Sequence, residues 1–66
     1  MGHIVTLKTS RDYYDIKDCA EYSLSVAEIM DILSRCPEDA KVVFSNDNGY
    51  TYGIVDNNTI KVINVN

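Results

Sequence analysis

Residues 41–56 read Lys41-Val42-Val43-Phe44-Ser45-Asn46-Asp47-Asn48-Gly49-Tyr50-Thr51-Tyr52-Gly53-Ile54-Val55-Asp56, two β-prone runs on either side of Asn48-Gly49. A two-residue type I′ turn needs positive φ at both central positions, and Asn-Gly supplies that at least cost. The stretch therefore predicts a hairpin, with Lys41 to Asp47 antiparallel to Tyr50 to Asp56. In that register Asp47 faces Tyr50, Ser45 faces Tyr52, Phe44 faces Gly53, Val43 faces Ile54 and Val42 faces Val55. Gly53 opposite Phe44 leaves room for the ring. Asp56-Asn57-Asn58-Thr59 has similar turn chemistry, and Thr59 to Val65 reads as a further strand. The expected unit is a three-stranded antiparallel meander.

One face of this meander carries Ala40, Val42, Phe44, Gly53, Val55, Ile60 and Val62. It is almost free of polar groups and needs a helix over it. The other carries Val43, Tyr50, Tyr52, Ile54, Ile63 and Val65 beside Lys41, Ser45, Asp56 and Lys61. That is too apolar for a plain solvent face, so the Ser10–Tyr22 segment, a second copy or a foreign partner is expected to cover part of it.

The helix comes just upstream. Ser25 and Glu28 have the spacing of a capping box, and Leu24 and Ile29 that of a hydrophobic staple. Val26, Ile29, Met30 and Leu33 follow the i, i+3, i+4, i+7 pattern, with Glu28, Asp31 and Arg35 on the wet side. Pro37 stops the helix near Cys36. At the other end, His3 to Thr9 is β-branched and alternating, and predicts a strand that adds to a sheet edge. Ser10 to Tyr22 carries an acid every three residues and reads as irregular.

The 66-residue chain has ten acidic and six basic residues, for a net charge of -4. Direct binding to nucleic acid needs clustered Lys and Arg, so this balance argues against it. No apolar run approaches the ~18 residues of a membrane helix. The start has no basic region followed by a long apolar run, so export is not expected and Cys19 and Cys36 are expected as reduced thiols. Met1-Gly2 with Thr6 satisfies a loose myristoylation pattern, but Ile4 to Leu7 reads more simply as strand.

Chemistry-bearing patterns are sparse. Asn46-Asp47-Asn48-Gly49 resembles part of a calcium loop, yet the spacing would put Phe44 at the first ligand and Val55 at the glutamate position. His3 is the only histidine and nothing identifiable orients it as a base. No enzyme activity, cofactor or metal is expected. The residues that stand out are recognition types: the acids Asp12, Asp15, Asp18 and Glu21 with Tyr13 among them, and Tyr50 and Tyr52 beside the turn. Tyrosine offers large contact area at low entropic cost. These seven are the expected partner-binding residues.

Three stretches together resemble small uncharacterised proteins of bacteriophages and mobile elements of gut bacteria. They are Ser23-Leu24-Ser25-Val26-Ala27-Glu28-Ile29, Pro37-Glu38-Asp39-Ala40-Lys41-Val42-Val43-Phe44 and Ser45-Asn46-Asp47-Asn48-Gly49-Tyr50-Thr51-Tyr52-Gly53. Those proteins run a similar helix through a Pro-x-Asp-Ala motif into a Gly-rich hairpin. The resemblance covers about half of the chain and implies a phage-type accessory protein of a bacterial cytoplasm. It carries no active residues with it.

The expected architecture is a single α+β domain over residues 1–66, one amphipathic helix packed on a small, mainly antiparallel sheet. The expected function is a non-enzymatic protein-binding module, of the accessory or inhibitor kind, that masks a partner's surface. Two alternatives stand beside it. One is a homo-oligomeric small-ligand binder with a pocket between subunits. The other is an acidic nucleic-acid mimic that inhibits a bacterial defence nuclease, as anti-CRISPR proteins do.

Overall fold

The hairpin forms in the predicted register. In the computed structural model, which describes residues 2–65, strand β2 (Lys41–Asn46) pairs antiparallel with β3 (Thr51–Ile54). Val43 faces Ile54, Phe44 faces Gly53 and Ser45 faces Tyr52. The loop between them is longer than two residues. The last pair is Asn46 with Thr51, and positive φ runs through Asp47 (50°), Asn48 (57°) and Gly49 (90°). Asp and Asn tolerate the left-handed region better than other side chains, so the loop sits where the chain is most permissive. The Tyr50 N–H closes it on the carbonyls of Asn46 (3.0 Å) and Asp47 (3.2 Å).

Strand β1 (Ile4–Lys8) pairs with the free edge of β2, and it does so in parallel. A parallel pair needs a long crossover, and residues 9–40 supply it with two helices. The class is α+β, but the sheet is mixed, in the order β1-β2-β3. Val5 faces Val42 and Leu7 faces Phe44, which extends the apolar sheet face across three strands.

Helix α2 (Val26–Ser34) starts at the predicted cap. The Glu28 N–H donates to Ser25 Oγ (3.2 Å), and the Ser25 N–H donates to Glu28 Oε1 (2.9 Å). Hydrogen bonding from the Ser25 N–H, and next from the Ser25 hydroxyl, holds the Glu28 carboxyl below its ordinary value. The segment expected as irregular contains a second helix, α1 (Ile16–Glu21), capped by Asp15, whose Oδ1 accepts from the Lys17 N–H at 3.0 Å. The overlooked signal is Asp15 with Asp18 three residues on, a weaker relative of the Ser25–Glu28 box.

One further expectation fails. Residues 60–65 form no strand, so the third member of the meander is missing. The helix-and-sheet packing is loose. Among the described residues none is fully buried: Val42 and Phe44 stay half-buried, and Ile29 and Leu33 on the apolar stripe of α2 remain 42% and 37% exposed. The radius of gyration is 13.4 Å, against about 11 Å for a compact chain of this length.

Candidate interaction surface

The missing third strand has a local cause. A tight turn does form at Asp56–Thr59. The Thr59 N–H donates to the Asp56 carbonyl (3.1 Å), the Asn58 N–H to Asp56 Oδ1 (3.0 Å) and the Asp56 N–H to Thr59 Oγ1 (2.9 Å). Asp47 and Asn48 are the only non-glycine residues with positive φ among those described, so Asn57 and Asn58 lack the backbone of a type I′ turn. Turns with negative φ splay the flanking strands instead of matching their twist. Residues 60–65 therefore leave the edge of β3, with Ile60 80% and Val62 97% exposed.

The expected partner-binding residues fall into two groups. Tyr50 follows the left-handed turn and is 85% exposed, and Tyr52 lies exposed on β3 opposite Ser45. The turn and Tyr52 are in register with each other: a Cβ on Gly49 would stand 3.2 Å from the Tyr52 hydroxyl. The Tyr52 hydroxyl thus lies over the turn, and a side chain placed in advance makes a better recognition anchor.

The second group surrounds α1. Asp12 precedes the helix and accepts from Ser10 Oγ. Asp15 caps it, Asp18 lies in its first turn and Glu21 is its last residue. The acids do not share one line, and Asp15 is engaged by the helix it starts. Tyr13 stacks on Tyr22, with ring centroids 5.8 Å apart and planes inclined by 13°. With Asp12, Cys19 and Ser23 the two rings line an open cleft of about 380 Å³. Tyr22 was not among the expected residues. It becomes legible only once α1 is recognised between the two rings.

A more polar cleft of about 490 Å³ opens where β1 and β2 end, lined by Thr9, Ser10, Arg11, Asn46, Asp47, Asn48 and Thr51. Thr9 Oγ1 donates to Asn46 Oδ1 (2.8 Å) across it. Among the described residues no three of His, Cys, Asp and Glu converge to hold a metal ion. Likewise, no helix is long and apolar enough to cross a membrane. No protein-family model matches the sequence, and neither a curated protein nor a solved structure matches it.

Proposed function

We propose that the chain is a non-enzymatic protein-binding module whose hydrophobic core is completed by what it binds. One observation carries this reading. The chain exposes 6430 Å², whereas a compact protein of 7.4 kDa exposes about 4,200 Å². Large apolar side chains share in that exposure, with Ile54, Ile60 and Val62 at 80% or more, and exposed apolar patches mark association sites. Tyr50 and Tyr52 act as anchors at one end of the sheet, and the acids Asp12, Asp15, Asp18 and Glu21 with Tyr13 give the other contact region its polarity.

This reading suits the accessory and inhibitor proteins of bacteriophages that the helix–hairpin pattern resembles, acting in a bacterial cytoplasm. The other two readings have less support. The acids are spread around a short helix, unlike a phosphate row, and the clefts are open, unlike an enclosed ligand pocket.

Small-angle scattering and amide exchange on the dilute chain test the proposal. A radius of gyration near 13.4 Å with weakly protected α2 amides is expected. A value near ~11 Å, with α2 amides strongly protected at the lowest concentration, overturns it.

A further inference from the structure

Resting on that reading, we infer that the partner is a second copy of this chain, and that residues 60–65 of each copy complete the sheet of the other beside β3. The structure holds both halves of this contact unpaired. The outer edge of β3 has no neighbour in the sheet order β1-β2-β3. Residues 59–65, Thr-Ile-Lys-Val-Ile-Asn-Val, have strand composition and lie outside any ladder. A β-rich segment and an open edge on the same molecule are self-complementary, so a two-fold axis satisfies both copies at once.

The Asp56–Thr59 turn decides between the chain's own edge and its partner's. Its negative φ at Asn57 and Asn58 steers residues 60–65 off their own sheet. A two-residue Asn57-Asn58 loop would set Gly53 against Val62 and Tyr52 against Ile63, and exchange makes those pairs between copies.

Area and charge both agree with a second copy. The surface in excess of a compact chain is roughly 2,200 Å² per copy. An obligate homodimer interface buries about 1,000–2,500 Å² on each side. In a chain of net charge -4, residues 57–66 contain no acid and one cation, Lys61. The donated segment therefore approaches an acidic copy without like-charge repulsion.

The test mixes 15N-labelled and 13C-labelled full-length chains and records isotope-filtered NOEs, with mass measured by light scattering. Cross-peaks between residues 51–55 of one label and 60–65 of the other, in a dimer, are expected. A dimer without those cross-peaks overturns the exchange but leaves the protein-binding reading standing. A compact monomer overturns both. Two variants sharpen the result. Ile63→Pro removes a ladder donor and is expected to weaken dimerisation at least about 10-fold. Asn58→Gly supplies the type I′ turn that lets each chain close on its own edge, and is expected to shift the population towards monomer. An Asn58→Gly variant that folds and dimerises as tightly as the parent chain contradicts the exchange.

Discussion

Gly53 lies directly across from Phe44, and a Cβ at Gly53 would stand 3.4 Å from the Phe44 Cβ. This is the limit of ordinary contact, and the φ of Gly53 is one that any residue adopts. Gly49 differs on both counts, with φ at +90° and the Tyr52 hydroxyl 3.2 Å from its would-be Cβ. Gly49→Ala is therefore expected to cost about 1–3 kcal/mol, and Gly53→Ala clearly less. Thermal unfolding of the two variants side by side checks the order. Equal losses would mean that strain at the turn does not control the hairpin.

The Tyr13–Tyr22 stack ties the extended chain before α1 to the chain after it. A double-mutant cycle with Tyr13→Ala and Tyr22→Ala is expected to return a coupling of about 0.5 kcal/mol, the low end for aromatic pairs because both rings are exposed. Zero coupling would mean that the two rings do not hold these segments together.

The α2 cap predicts a pH dependence. The folded state lowers the Glu28 pKa through the Ser25 N–H, then through the Ser25 hydroxyl. The cap's contribution is therefore whole above the ordinary glutamate value and is lost as pH falls through the lowered one. Helicity followed by circular dichroism is expected to drop over that acid range, and Glu28→Gln is expected to flatten the drop. Ser25→Ala is expected to cost about 1 kcal/mol at neutral pH. An unchanged acid profile in Glu28→Gln would place the titration elsewhere.

The sequence made legible those elements whose signals are local. The Ser25–Glu28 box, the apolar spacing of Val26 to Leu33 and the hairpin register around Phe44 and Gly53 depend on neighbours within a few residues. The register survived a longer loop because pairing Val43 with Ile54 keeps both strands' faces aligned. The parallel pairing of β1 was not legible, since it depends on a crossover of residues 9–40 and not on any turn. Helix α1 was hidden because Asp15, Asp18 and Glu21 read as an acid run before they read as a cap and a helix. The third strand was over-read. Asn57-Asn58 has turn composition, but composition does not choose the sign of φ, and with negative φ the chain leaves the sheet. Of the candidate surface, Tyr50 and Tyr52 were legible beside Gly49, whereas Tyr22 depended on α1.

In the proposed dimer, the fold becomes stable through association with its own kind. The most direct measurement is the thermal unfolding midpoint over a wide range of chain concentrations. Dimer dissociation coupled to unfolding makes the midpoint rise with concentration, and that rise is the result predicted here. A cooperative transition whose midpoint stays fixed on dilution would contradict the account, because the monomer would then hold a core of its own.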